Sequence, residues 1–206
     1  WFTPDSQRLV VMPRYEHAHV YTLNGPEPDV QRLNLPGITN PQTQYRSTIL
    51  AQGRTLATPL QGSNQFRLHT VDWERGEISK AVSTSPQAQS RTDILFADDA
   101  NQAFYVSTEG KLRRATIRNA QWEQDEELAI PLADGEKLSA VAPNGKRLTI
   151  QTATKFQIWN IEGTAPQEHA SVAAPEYNYN SQFSPDGRWL TIKYTGAVLY
   201  RIDGAE

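Results

Sequence analysis

The chain contains no cysteine. That excludes disulfides, thiolate nucleophiles and cysteine-ligated zinc, and leaves burial and hydrogen bonding to hold the fold. No apolar run approaches the roughly 18–20 residues of a membrane-spanning helix, so no membrane span is expected. The N-terminus opens at Trp1 and shows no basic segment leading into an apolar stretch. No signal peptide is therefore visible, and a cytoplasmic location is favoured over a periplasmic one. Positive charge is not in excess either: 20 Lys and Arg against 23 Asp and Glu give a formal net charge of −3. A nucleic-acid binder usually shows a basic surface, so no nucleic-acid partner is expected. There is no glycine-rich phosphate loop and no Gly-x-Ser-x-Gly nucleophile elbow. Sustained helical periodicity is also missing. The nearest candidate, "RNAQWEQDEELA", places Trp122 and Leu128 at a poor helical spacing and reads as a loop joining two strands.

What the 206 residues do contain is a repeat. A small residue or proline, a polar turn and an apolar strand start recur as "FTPDSQRLVV", "LAQGRTLAT", "FADDANQAFYV", "VAPNGKRLTI" and "FSPDGRWLTI". The strand-start residues Leu9, Leu56, Phe104, Leu148 and Leu190 are spaced by 47, 48, 44 and 42. A second apolar strand follows in each unit: "VYTL", "LHTV", "RATI", "IWNI" and "LYRI". A weaker third segment is read in four of them as "VQRLNL", "ISKAVS", "ELAIPL" and "EHASVA".

The local chemistry explains the pattern. In "SPDGRWLTIKYT", Pro185 has the fixed φ of a turn's second position and Gly187 tolerates positive φ. Beyond the turn Leu190, Ile192 and Tyr194 share one face of a strand, with Trp189, Thr191 and Lys193 on the other. One four-stranded sheet cannot bury both faces alone, and stacking such sheets around an axis solves this. The sequence thus predicts an all-β single domain: a β-propeller of four-stranded antiparallel blades in about five units, near 1–44, 45–90, 91–134, 135–176 and 177–206. Both end units read as clipped, and the chain is expected to be an arc of a larger propeller in preference to a compact five-bladed ring.

"FSPDGRWLTI…AVLYRID" and "VAPNGKRLTIQTATKFQIWNIEG" resemble the WD40 repeat and its bacterial TolB-like relatives. The resemblance extends over nearly the whole chain and is clear in the first, fourth and fifth units. No unit has the Gly-His pair that opens many WD40 repeats. The Asp of the Trp-Asp pair is replaced by Thr22, Thr70, Thr116, Asn160 and Arg201. The buried His–Asp network that the resemblance would otherwise imply is therefore not expected.

Candidate functional residues are few. "YEHAHV" sets His17 and His19 on one face of a strand, a spacing that suits a metal, but no third ligand lies near and two polar rings at a rim explain it as well. Asp98 and Asp99 could bind calcium, yet they fall where the other units have their turn. Arg113, Arg114 and Arg118 precede Glu123, Asp125, Glu126 and Glu127, which reads as solvated cross-strand pairing or as a charged docking patch. Trp1, Trp73, Trp122, Trp159 and Trp189 come about one per unit and read as packing or rim anchors. No catalytic residue, metal site or cofactor is assigned.

The leading functional expectation is a non-catalytic scaffold that binds a protein or peptide through loops on rigid blades. Arg14, Tyr15, His17, His19, Arg113, Arg114 and Arg118 are its candidate contacts. The connectors "NGPEPDVQRLNLPGITNPQTQ" and "TSPQAQSRTD" are its candidate contact loops. Two alternatives are a propeller enzyme with an axial site (a lactone hydrolase, or a metal- or quinone-dependent oxidoreductase) and structural blades completing a larger ring. In the last case the remaining blades, from the parent chain or a partner chain, are themselves the partner.

Overall fold

The computed structural model describes residues 7–11, 17–23, 25, 29–34, 48–50, 54–60, 62–73, 75, 77–79, 81–90, 94–97, 100–163, 165–174, 180–193 and 196–202. Among them there is no helix, and every named element is a strand in an antiparallel sheet. The chain divides into two compact units, Trp1–Gln87 with Ile117–Glu123, and Ala88–Thr116 with Gln124–Glu206.

The first unit holds two sheets. One is β1 (Arg8–Val11), β2 (His17–Thr22) and β3 (Asp29–Asn34) in that order. The other is β4 (Thr48–Leu50), β5 (Thr55–Pro59), β6 (Phe66–Asp72) and β7 (Glu77–Ile78), with β8 (Ser83–Thr84) also paired to β6. Val10 and Val20 of the first sheet pack with Ile49, Leu56 and Val71 of the second, and Trp73 and Ile78 close over them.

The second unit carries the other sheets. They are β9 (Ile94–Ala97), β10 (Gln102–Val106), β11 (Leu112–Arg118) and β12 (Gln121–Glu127), then β13 (Lys137–Val141), β14 (Arg147–Gln151), β15 (Lys155–Asn160) and β16 (Gln167–Ala173). Last come β17 (Asn180–Phe183), β18 (Trp189–Lys193) and β19 (Ala197–Arg201). Each sheet packs on the next. Phe104, Val106 and Leu112 meet Leu138, Leu148 and Ile150, while Phe156 and Ile158 meet Phe183, Leu190 and Ile192. The tip of the β11–β12 hairpin counts with the first unit, where the Ser83 hydroxyl donates to the Ala120 carbonyl at 2.7 Å.

The five predicted strand starts all fall inside corresponding strands, β1, β5, β10, β14 and β18. In β18 the predicted alternation holds, with Leu190 and Ile192 buried between more exposed Trp189, Thr191 and Lys193; Tyr194 lies outside the described residues. The turns behave as their residues require. Gly145 N–H donates to Ala142 O, and Gly187 N–H to Ser184 O, each at 2.9 Å. The Asn144 and Asp186 side chains accept the N–H groups of Lys146 and Arg188 beyond them. Both glycines have φ near +70°, where a side chain is strained. A Cβ on Gly145 would lie 2.5 Å from Gln102 Oε1 and 2.7 Å from Ala100 Cβ. This turn is therefore the point where the fourth sheet sits down on the third.

Two outer strands depart from expectation. Residues Gln121–Glu127, read from sequence as a loop, form β12, and "ELAIPL" is not the outer strand of its unit. Asn119 and Ala120 both take φ near +55° (51° and 58°), the two-residue hairpin geometry that matches strand twist. Leu128 and Ile130 are apolar because they plug the core from a connecting segment. "ISKAVS" is also not one strand: β7 and β8 grip opposite ends of β6, and Ser79 lies between them.

Candidate functional site

The predicted basic patch lies on β11, and the structure sets an acid of β12 against each of its arginines. Arg113 Nε donates to Asp125 Oδ1 at 2.8 Å, and its Nη2 donates to the Asp125 carbonyl at 3.2 Å. Asp125 Oδ2 accepts the Tyr105 hydroxyl at 2.7 Å. Burial first, and then this carboxylate, push the Tyr105 hydroxyl well above the usual phenol range. Arg114 pairs with Glu126 at 2.6 Å and also reaches the Ile161 carbonyl of the next sheet at 3.3 Å. Arg118 lies 3.7 Å from Glu123, and Lys111 lies 2.9 Å from Glu127. The charges cancel locally in a cross-strand ladder, and ion pairs this exposed to solvent add little to stability.

The histidine pair of the first sheet is placed in part. His17 and His19 occupy alternate positions of β2, and the His19 ring stacks on Tyr21 with centroids 6.3 Å apart and planes 26° apart. Arg14, Tyr15, Asp98 and Asp99 lie outside the described residues. Among the described residues no three His, Asp or Glu side chains converge on a point. Of the tryptophans, Trp73 packs on the first-unit core, Trp159 on a second-unit core, and Trp189 lies under the Arg201 guanidinium.

The connector over residues 84–93, read as a contact loop, is described over 84–90 and is anchored at two of those positions. Ser85 and Ala88 are buried; Ser85 Oγ accepts the Phe66 N–H at 2.9 Å, and Ala88 bridges to Ser107. Polar side chains in a short connector take over the ladder bonds that a regular strand would supply. The other connector falls mostly outside the described residues.

Sequence reasoning missed a buried histidine. His69 on β6 is 1% exposed. Its Nδ1 lies 3.0 Å from the Ser79 carbonyl and its Nε2 lies 3.0 Å from Thr58 Oγ1. A carbonyl only accepts, so Nδ1 carries the proton, and Nε2 is left to accept from the threonine. Burial outweighs the opposing pull of the Ser79 carbonyl and holds the ring's pKa below the ordinary histidine value. Both nitrogens are committed to the protein, so His69 is a structural strut and not a base open to a substrate. The signal for it was its slot. Tyr21, Ala115, Trp159 and Tyr200 fill the same position in the other units, so a histidine there had to be buried or half-buried and matched. A second missed feature is a hydroxyl chain: Ser181 Oγ lies 2.7 Å from Ser139 Oγ and 3.2 Å from Thr149 Oγ1.

The fifth sheet differs from the others in what it leaves uncovered. Its third strand, β19, has no outer neighbour among the described residues. Leu199 at its centre is 59% exposed, the most exposed large apolar side chain described.

Neither a protein-family model nor a curated protein sequence matches the chain. Solved structures do: 536 chains match, among them the β-propeller domain of Myceliophteria thermophila Cps50 (Swd1). That match has a TM-score of 0.61 at 10% identity and covers 96% of this chain and 67% of the other. The likeness, together with the successive antiparallel sheets, shows a β-propeller fold. At this identity it shows the fold alone.

Proposed function

We propose that the chain is a non-catalytic interaction module, a set of propeller blades that binds a protein or peptide partner. One observation carries this reading. Among the described residues, a buried histidine, an aspartate and two arginines that could have done chemistry are committed to the protein's own structure, whereas some apolar side chains on regular strands are left open. His69, Asp125, Arg113 and Arg114 all have internal partners. Leu199 and Val30 stand exposed on strands of their sheets, and an exposed apolar side chain gains free energy when a partner covers it. The propeller fold supports the reading, since it presents edges and loops on a stiff scaffold.

A second reading, blades that complete a larger ring, has its own support. Val20, Leu68, Arg114, Ile158 and Leu199 occupy the same repeat position. Val20, Leu68 and Ile158 are buried, and Arg114 bonds the next sheet, but Leu199 is exposed. A following blade would cover it.

Thermal denaturation with and without co-purifying macromolecules tests the main reading. Specific binding to the folded form raises the midpoint with ligand concentration. A stoichiometric divalent ion on metal analysis, coupled to turnover of any substrate, would reject it in favour of an axial enzyme site.

A further inference from the structure

We propose that the outer segment of the second sheet, residues 77–85, is an acid-sensitive strap: protonation of His69 releases it from β6 while β5 and β6 stay paired behind it. This goes beyond the interaction reading above and stands without it.

The strap is lightly held. It pairs with β6 at two positions at each end, Val71–Ile78 and Asp72–Glu77, then Leu68–Ser83 and Arg67–Thr84. The outer strand β16 pairs with β15 at six. Between the two ends Ser79 stands in for a ladder. Its N–H donates to Thr70 O at 3.0 Å, its Oγ accepts the Thr70 N–H at 2.9 Å, and its carbonyl accepts from His69 Nδ1 at 3.0 Å. At the far end a hydroxyl again replaces a carbonyl, with Ser85 Oγ accepting the Phe66 N–H. Apolar burial adds little: Ile78 lies against the first-unit core, but Val82 is 41% exposed. A segment with few ladder bonds and few buried apolar contacts opens at low free-energy cost.

His69 makes that opening depend on acid. Register sets it on the face of β6 that carries Arg67 and Val71, opposite Leu56 and beside Thr58 of β5. The neutral ring satisfies both neighbours, donating to Ser79 and accepting from Thr58. A proton added at Nε2 reverses the second bond. Thr58, itself 1% exposed, must then accept, and its hydroxyl proton loses its acceptor. The surroundings do not answer the new charge. Arg67 shares the face and opposes it. β4 and β5 carry no titratable side chain. Asp72 and Glu77 pair on the opposite face of β6 and β7. The first sheet turns Arg8 and Asp29, a cation and an acid together, to the side that carries Val10 and Val20. A buried imidazolium is relieved by water. Lifting the strap uncovers Nδ1, whereas any other route parts the five pairs of β5 and β6 or the core between the first two sheets. Release bares the outer edge of β6 and also frees the Ser83 hydroxyl from the Ala120 carbonyl, so the tip of the β11–β12 hairpin loses its tie in the same event.

Residue-resolved hydrogen exchange on the full chain tests this, with each rate corrected for its intrinsic pH dependence. The Val82 and Ser85 amides donate across the strap to Leu68 O and Phe66 O, and Val71 N–H donates to Arg54 O on the other side of β6. A ring held in its neutral form while the strap is closed favours closure fully above the free-histidine pKa and less below it. The opening constant at Val82 and Ser85 should therefore rise by up to about tenfold for each pH unit below roughly 6.5, and that at Val71 should not follow. His69→Gln should make the strap's opening flat over the same range; should that variant fail to fold, the comparison of Val82 with Val71 in the unaltered chain decides. Val71 opening in step with Val82 would mean that the whole unit unfolds together, and would overturn the strap. Opening at Val82 and Ser85 that ignores pH would overturn it as well, and so would a dependence that persists in folded His69→Gln.

Discussion

Replacing Gly145 by alanine tests how the repeat turns dock on neighbouring sheets. Gly145 has φ of +70°, and its added Cβ would stand 2.7 Å from Ala100 Cβ and 2.5 Å from Gln102 Oε1. Gln102 can swing its amide away, but the Ala100 methyl is fixed to the backbone. Two costs follow. Alanine in the left-handed region costs about 1–2 kcal/mol, partly offset by roughly 0.4–1 kcal/mol from a stiffer unfolded chain. Forcing a methyl into filled space costs about 1–3 kcal/mol more. Gly110 carries the first cost alone, because its φ is +77° and nothing lies within 4 Å of its added Cβ. Gly145→Ala should therefore be less stable than Gly110→Ala by about 1–3 kcal/mol in urea unfolding. Adding Ala100→Gly should return much of that difference, while the same change paired with Gly110→Ala should return none. Equal losses for the two glycine variants would refute the packing of this turn on the third sheet.

Stability should also depend on acid through His69. Its folded pKa lies below the ordinary value near 6.5, so the unfolded chain takes up the proton first, and stability should fall as pH drops through about 6.5 toward the folded pKa. His69→Gln should flatten that limb in urea titrations at pH 7.5 and 5.5. His69→Ala should cost about 1–3 kcal/mol at neutral pH, because it removes the partner of the buried Thr58 hydroxyl. Asp125→Asn should cost more than Glu126→Gln, since Asp125 serves a buried tyrosine hydroxyl as well as an arginine; the exposed Arg114–Glu126 pair should contribute less than about 1 kcal/mol.

The recurring turn and strand were legible because they rest on local rules. Proline and glycine at set offsets make the turn, and apolar alternation from Leu148 or Leu190 makes the strand behind it. The outer strands were not legible in the same way. β12 reads Gln-Trp-Glu-Gln-Asp-Glu-Glu and has no apolar face to detect. It is a strand because Asn119 and Ala120 reverse the chain in two residues and because β11 offers cations opposite its acids. Conversely, Leu128, Ile130 and Leu132 look like strand residues and are core plugs or lie against the core. Hydrophobic periodicity reports burial, and an edge strand held by backbone bonds and charge pairs has little burial to report.

The same limit governs the site. Sequence shows that Arg113, Arg114, Arg118 and Arg201 are charged, but not which of them face an acid. Register decides that. Three of them lie in a strand whose neighbour supplies carboxylates, so their charge is spent on the sheet. Arg201 lies in a strand flanked by no acidic strand among the described residues, and its guanidinium sits over the Trp189 ring instead. The arginine cluster, which drew attention as a run in the sequence, is thus a ladder of paired charges and not a run of bare ones. Density of cations in a sequence is therefore no guide to bare charge on the surface until the facing strand is known.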